Sequence, residues 1–269
     1  MDNYKILTDK LTSLNQGSFV TELVCIPTDE QRDKLKKGSG NPEAEMRQVN
    51  SSAGLAVNYW RAYELCHPNA TIEFEWKERV PLKSGRPANV DVVVREEGRT
   101  IFIESKFLEP YYSGNEIPRD SYLEATKYSS YTKDSPKSWI AFFEEATTFS
   151  LYNVTQLGRH LLAVSKDIWL SPKAYENKHV QLLSVTWEMS DSFISLFPDE
   201  IAEEFKNRRI VIREEAERSE AFINGFIKEH LDFANFEYKA IKYNDIIDEI
   251  KDSQYVKPIK KQYFLSIVR

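Results

Sequence analysis

The chain has 269 residues, of which 41% are hydrophobic and 29% are charged, and this composition is typical of a folded protein and excludes a disordered chain. Its formal net charge of -6 argues against a protein with an overall basic surface for nucleic acid, although a local basic cleft or a bound divalent cation can compensate for acidity elsewhere. No apolar run approaches the roughly 20 residues of a membrane span, and the first residues lack a signal-peptide pattern, so we expect a cytoplasmic protein that does not enter a membrane.

The N-terminal part of the chain is predicted to be helical. After a first helix near residues 4–14, a second is expected over residues 28–36, where Thr28 and Gln31 have the spacing of a capping box. A third helix is expected to begin after Asn50 or Ser51, since both residues are good N-caps. Its apolar side is predicted to face the core.

Three strands are predicted next. Residues 71–80 alternate in polarity, which is typical of a half-buried strand. The residues expected to face the core are Ile72, Phe74 and Trp76, and those expected to face solvent are Glu73, Glu75 and Lys77. Residues 88–95 and 100–107 are nearly continuous apolar runs, which indicates strands buried on both faces. Glu97 and Gly98 between them can form a two-residue hairpin turn.

The C-terminal half alternates helices and strands. The predicted elements are a helix over 153–164, a strand over 179–189, a charged helical stretch over 199–231 with a break near 208–213, a strand near 236–242 and a helix near 244–251. The order of helix, three strands, helix and strand predicts an α/β or α+β sheet flanked by helices.

Charged residues interrupt the two buried strands. Glu104 and Lys106 share one face of their strand because side chains alternate. With a two-residue turn, the register places Asp91 opposite Glu104 and Asn89 opposite Lys106. Directly opposed residues have Cβ atoms about 4.5–5.5 Å apart, and like charges there are destabilising. The pattern therefore requires something that compensates for two adjacent carboxylates.

A hard divalent cation such as Mg²⁺ would compensate, because it takes oxygen ligands from one or two carboxylates together with water and phosphate. The nearby Lys106 could then orient or deprotonate an attacking water, or stabilise charge on a phosphate. The alternative is a solvated strand face, on which same-face charges are common. The apolar residues on both sides favour a functional site.

Asp91, followed by Glu104-Ser105-Lys106 at the end of the next strand, resembles the PD-(D/E)XK signature of the restriction-endonuclease-like nuclease superfamily. The proline before the aspartate is replaced by Val90. The resemblance implies that Asp91 and Glu104 are metal ligands, with Mg²⁺ or Mn²⁺ as the cofactor. It also implies that Lys106 serves the hydrolytic water.

The resemblance also implies a fold. It predicts an α/β protein with an α-β-β-β-α-β core, in which helices flank a mixed central sheet, over residues 50–190. Residues 1–49 are predicted to form an N-terminal helical extension, and residues 191–269 a C-terminal α-rich extension packed on the core. The three parts are expected to form one compact unit.

Helices of this superfamily often add polar residues to the active centre. A glutamate from the first core helix would be either Glu64 at its end or Glu45 just upstream. In the second core helix, Gln156, Arg159 and His160 lie on one side. The resemblance favours Gln156 as the active-site residue and Arg159 as a phosphate contact. His160 is interpreted as part of a solvated helix face.

A substrate-binding rim is predicted beside this centre. Lys83 and Arg86, in the loop before the Asp91 strand, are candidates for contacts to the backbone phosphates of DNA. The two cysteines and four histidines lack metal-ligand spacing, which argues against a zinc hydrolase. Phosphate-loop, dinucleotide-binding and serine-hydrolase motifs are also missing from the sequence.

The sequence and its resemblance thus predict a Mg²⁺-dependent endonuclease that hydrolyses DNA, of restriction, defence or repair type. Restriction-type enzymes commonly dimerise to cut both strands, so a homodimer is one expected state. Two alternatives remain open. The first is a non-catalytic nucleic-acid-binding or protein-interaction module on the same fold. The second is an unrelated α/β scaffold in which the charged residues form a structural ion-pair cluster.

Overall fold

The computed structural model describes residues 2–36, 43–80, 87–123, 136–231, 233 and 235–264. The helices are α1 (Asn3–Leu14), α2 (Asp29–Lys36), α3 (Glu43–Met46), α4 (Ser52–Cys66), α5 (Glu109–Tyr112), α6 (Pro136–Ala146), α7 (Val154–Leu170), α8 (Pro172–Tyr175), α9 (Asp191–Ile194), α10 (Asp199–His230), α11 (Tyr243–Ile246) and α12 (Val256–Gln262), with short 3₁₀ helices at Asp120–Tyr122 and Ile247–Ile250. The strands are β1 (Thr71–Arg79), β2 (Pro87–Glu96), β3 (Arg99–Lys106), β4 (His179–Thr186) and β5 (Phe236–Lys242). Within these ranges, no helix is both long enough and apolar enough to cross a membrane.

In the described part of the chain, the strands form one five-stranded sheet in the order β1-β2-β3-β4-β5. The pairs β1–β2 and β2–β3 are antiparallel, whereas β3–β4 and β4–β5 are parallel. The three parallel strands end together, because Lys106 is level with Thr186 and Thr186 with Lys242. The mixed sheet flanked by helices confirms the predicted fold class.

The hairpin between β2 and β3 has the register predicted from its two-residue turn, and the paired positions continue as far as Val92 and Ile103. The next pair in this register would be Asp91 and Glu104. Here the backbone N–H of Ser105 donates a hydrogen bond of 2.8 Å to the Asp91 carboxylate. A side chain of β2 thus binds the backbone of β3 where the regular pairing ends.

Helices cover both faces of the sheet at this point. On one face, the Ser105 hydroxyl lies 2.7 Å from the Tyr243 hydroxyl, and the Tyr243 ring packs 5.3 Å from that of Tyr59 in α4. On the other face, His160 of α7 contacts Glu104. The end of β3 therefore lies between α4 and α7.

Two of the predicted helix caps are confirmed. The Thr28 N–H donates to the Gln31 side chain at 3.0 Å, and the Gln31 N–H donates to the Thr28 hydroxyl at 3.3 Å, which completes a capping box. At the start of α4, the Ser51 hydroxyl accepts a hydrogen bond of 3.0 Å from the Gly54 N–H. Short-range hydrogen bonds of this kind depend on neighbouring residues only, so the sequence pattern identifies them.

The predicted break near residues 208–213 is wrong, because α10 runs without interruption over 32 residues. Arg208 reaches out of the helix to the backbone carbonyl of Ser113 at 2.9 Å, and Arg209 reaches that of Met189 at 2.8 Å. Ile212 is buried in the core. These tertiary contacts outweigh the weaker helix propensity of the β-branched residues in this stretch.

Helix α10 also fixes the loop from which α7 begins. Glu215 is 7% exposed, and its carboxylate accepts hydrogen bonds from the backbone N–H groups of Ser150, Leu151 and Tyr152 at 2.7–2.8 Å. The Ser150 hydroxyl donates a fourth at 2.7 Å. Burial raises the pKa of Glu215, but these donors outweigh it and lower the pKa below its usual value. The ionised carboxylate is therefore part of the fold.

We predict that Glu215→Gln lowers the free energy of unfolding at pH 7 by about 1.5–3 kcal/mol, the range for hydrogen bonds to a charged group. Because the folded-state pKa is lowered, this contribution is present above the unfolded-state pKa and is lost as the pH falls through the folded-state pKa. Urea unfolding at pH 7 and at acidic pH measures both effects. Glu217→Gln, at an exposed position of the same helix, is the matched control. Equal stability of Glu215→Gln and wild type at pH 7 would contradict the prediction.

Candidate active site

The structure brings Asp91, Glu104 and Lys106 together around a cavity of about 270 Å³. The first turns of α4 contribute Ser52 and Ala53 to its wall, and α7 contributes the side that faces Glu104. The cavity lies at the end of β3, where β3 and β2 separate. The carboxyl ends of strands are the usual position of ligand sites in open α/β sheets.

Glu104 is 2% exposed and has a different cationic or polar neighbour at each carboxylate oxygen. Its Oε1 lies 2.5 Å from Lys106 Nζ, and its Oε2 lies 2.8 Å from His160 Nε2. Both distances are of hydrogen-bond length, but the donor groups are poorly aligned, so we describe them as electrostatic contacts. The buried carboxylate is thus compensated on both sides.

The electrostatics of the Glu104–Lys106 pair favour the charged form of both residues. Burial raises the pKa of Glu104, but Lys106 and His160 outweigh it and lower the pKa to about 2. Burial likewise opposes the Lys106 ammonium, yet the charges of Glu104, Glu109 and Asp91 raise its pKa above the usual value. The pair is therefore an ion pair at neutral pH.

The ionised form of Asp91 is destabilised by its burial and by the adjacent Glu104. Burial and the negative charge of Glu104 together raise its pKa well above the usual value, although Lys106 and the Ser105 N–H act in the opposite direction. The carboxyl group is held in place by the Ser105 N–H at 2.8 Å. A positive charge beside Asp91 would oppose this shift and favour the ionised carboxylate.

Glu75 is a third carboxylate of the cavity, and the sequence analysis missed it. We expected a solvent-facing residue of β1, but Glu75 is 8% exposed, lines the cavity and accepts a hydrogen bond from the Asn89 side chain. Its backbone is left-handed, with φ 57°, and Phe74, Glu75 and Trp76 are all buried. The alternation of buried and exposed side chains along β1 is therefore interrupted at Glu75. A left-handed backbone is uncommon for a residue other than glycine.

His160 was expected on a solvated helix face, and this interpretation is wrong. The residue is 1% exposed and contacts Glu104. The sequence contained a signal for burial, because His160 is three residues after Leu157 and four before Val164, both of which belong to the apolar side of α7.

Gln156 and Arg159 also line the cavity. Gln156 is in the first turn of α7, where its backbone N–H donates to the Asn153 cap at 3.1 Å. Arg159 lies 3.8 Å from the exposed Glu116. A second cavity of about 300 Å³ shares Glu104, Lys106 and Gln156 with the first, so the two border the same charged residues.

The structure does not bring Glu64 to the cavity. Its carboxylate accepts hydrogen bonds from the Gln31 side chain at 2.9 Å and the Ile72 N–H at 3.0 Å, and it pairs with Arg61. It lies 7 residues beyond Val57, the last residue of α4 that lines the cavity, which is roughly 10 Å along the helix axis. Its contacts join α2, α4 and β1.

Glu45, Lys83 and Arg86 are the remaining predicted residues. Glu45 belongs to α3 and is not among the residues that line it. Lys83 and Arg86 lie outside the residues that the structure describes.

A second glutamate in the sheet has the same kinds of neighbours but a different environment. Glu237 of β5 lies 2.9 Å from Lys239, two residues further along the strand, and 3.2 Å from His179. All three side chains are between 31% and 47% exposed, and none lines either cavity. The spacing Glu-X-Lys is therefore not distinctive by itself, and burial beside a cavity distinguishes Glu104.

The donor chemistry of the cavity fits a hard divalent cation, since Asp91 and Glu104 present oxygen ligands beside open space. In the described ranges, no three histidine, cysteine, aspartate or glutamate side chains are grouped as a metal site. Mg²⁺ is often bound through only one or two carboxylates, with water and substrate phosphates as the other ligands. The two carboxylates meet that requirement.

The family comparison gives a match over most of the chain. Residues 14–212 match REase-ARP, which is described as Restriction Endonuclease associating with ARP. Neither the curated proteins nor the solved structures give a match. The resemblance to the restriction-endonuclease-like superfamily is thereby confirmed. The chain belongs to the REase-ARP family of restriction endonucleases.

Proposed function

We propose that the protein is a nuclease that uses Mg²⁺ or Mn²⁺ to hydrolyse phosphodiester bonds of DNA. Asp91 and Glu104 would hold the cation, and Lys106 would act beside it. The observation that carries the proposal is the convergence of a buried acid pair and a lysine on an open cavity. Family membership supports a nuclease, and the metal and the substrate are our inference.

Each group at the site would have a separate role in such a reaction. When bound, the cation would stabilise charge on the phosphate and lower the pKa of water. The Lys106 ammonium would orient the attacking water or donate to a phosphate oxygen. Gln156 and Arg159 border the same cavity and would position the DNA backbone. Lys83 and Arg86 remain proposed phosphate contacts.

The family description also suggests how the protein acts in the cell. Because the description names association with ARP, we propose that this chain works with a second component in a restriction or defence system. The second component would recruit or regulate the nuclease.

One observation favours a non-catalytic role on the same fold. Both carboxylate oxygens of Glu104 already have a neighbour, Lys106 at 2.5 Å and His160 at 2.8 Å. A cation at Glu104 would therefore have to share an oxygen with one of these neighbours or displace it. A nuclease assay therefore has to be accompanied by a measurement of metal binding.

We predict that Asp91→Ala and Lys106→Ala each abolish DNA cleavage while the fold stays intact. Asp91→Ala removes a metal ligand, and Lys106→Ala removes the cation next to the reacting phosphate. The assay uses the purified chain with plasmid, linear and single-stranded DNA in the presence of Mg²⁺, Mn²⁺ or a chelator.

The matched control for Lys106→Ala is Lys239→Ala, which breaks the Glu237–Lys239 ion pair of 2.9 Å outside the cavity. It should cleave as the wild type does. If wild type cleaves DNA and both active-site variants retain that activity, the assignment of the site is wrong. If wild type neither cleaves DNA nor binds Mn²⁺, the non-catalytic alternative is supported.

We predict that Asp91→Asn raises the melting temperature in chelator and removes the stabilisation by Mg²⁺. The amide relieves the repulsion from Glu104, and its oxygen can still accept the Ser105 N–H. Each 1 kcal/mol gained should raise the melting temperature by about 2–4 °C in a protein of this size. Thermal unfolding with and without Mg²⁺ measures both effects. The exposed Asp245→Asn serves as the control. A lower melting temperature for Asp91→Asn than for wild type in chelator would contradict the prediction.

A further inference from the structure

The two oxygens of Glu104 have neighbours of different mobility. Lys106, at Oε1, has a side chain that is 21% exposed and borders both cavities. It has a flexible four-carbon stem, so its ammonium can move to another partner. His160, at Oε2, has a side chain that is 2% exposed and a short connection to the middle of α7. The Lys106 contact is therefore the easier of the two to exchange, because Lys106 is the more exposed and the longer side chain.

The position of α7 is fixed close to its neighbours. Gly158 lies so near α6 that a Cβ atom there would be 2.4 Å from the Phe142 ring and 2.9 Å from the Phe143 ring. The helix start is capped by Asn153, which accepts a hydrogen bond of 3.1 Å from the Gln156 N–H. Among the described residues, His160 Nδ1 has no hydrogen-bond partner, and Nε2 contacts Oε2 of Glu104 at 2.8 Å.

We propose that His160 is a positioning residue that holds Oε2 of Glu104 while Oε1 exchanges Lys106 for a divalent cation. The inference rests on the proposed function, because it concerns the same metal site. His160 would keep the carboxylate in one orientation before and after the exchange. Lys106 would become free to face the phosphate when the cation takes its place.

A purely structural role explains the arrangement less well. Removing a carboxylate and its partner from water costs free energy, and their attraction recovers only part of this cost. Buried ion pairs therefore contribute little net stability compared with apolar packing. The exposed Glu237 has the same kinds of neighbours without this cost. Residues that support metal ligands typically change metal affinity or activity by 10–100-fold when they are substituted.

We predict that His160→Ala weakens Mn²⁺ binding to the DNA-free protein by about 10–100-fold. His160→Gln should restore binding, because its amide N–H can reach the position of the ring Nε2–H. Electron paramagnetic resonance measures free Mn²⁺ during the titration, and circular dichroism checks the fold of each variant. If His160→Ala does not fold, His160→Phe takes its place, since it fills the volume without a donor.

The matched control is His179→Ala, which removes the exposed neighbour of Glu237 and should bind Mn²⁺ as wild type does. Wild-type affinity in a folded His160→Ala or His160→Phe variant would overturn the positioning role and leave the proposed nuclease intact. The role would also be overturned by a folded His160→Gln variant that binds as weakly as the donor-less variant. A wild-type protein that neither binds Mn²⁺ nor cleaves DNA in its presence would refute the metal site itself, and the proposed function with it.

Discussion

The arrangement of the site depends on one constraint, which is that Glu104 is a buried carboxylate near the end of β3, the central strand of the sheet. Such a group is tolerated only when its charge is compensated. Lys106 supplies a charge from the same strand, and His160 supplies a polar contact from α7. Asp91 accepts a hydrogen bond from the Ser105 N–H, but burial and the charge of Glu104 still raise its pKa. A further positive charge beside Asp91 would lower that pKa and favour the carboxylate.

The features that could be predicted from the sequence are those determined by neighbouring residues. The capping box of Thr28 and Gln31 and the Ser51 cap involve residues three positions apart. A two-residue turn fixes the register of its hairpin, so the proximity of Asp91 and Glu104 could be worked out by counting along two strands. The rest of the fold followed from the order of the elements and the superfamily resemblance.

The features that could not be predicted depend on packing between distant segments. The burial of Glu75 depends on a left-handed backbone that no nearby glycine indicates. Glu64 was a reasonable candidate by resemblance, but it lies at the end of α4 away from the cavity and holds the Ile72 N–H instead. His160 was misjudged because its partner Glu104 lies 56 positions earlier in the chain. Burial of a polar residue can be predicted from helical periodicity, whereas the identity of the residue that it contacts cannot.

The family match ends at residue 212, inside α10, and the strand β5 lies entirely beyond it. A fragment trimmed to the match would leave β4, which pairs with β5 along its outer side, as a bare sheet edge. Unprotected edges of this kind recruit strands from other molecules and promote aggregation. It would also lose the carboxylate of Glu215, which anchors the loop in front of α7. Recombinant versions of this endonuclease should therefore be designed to extend past Lys242.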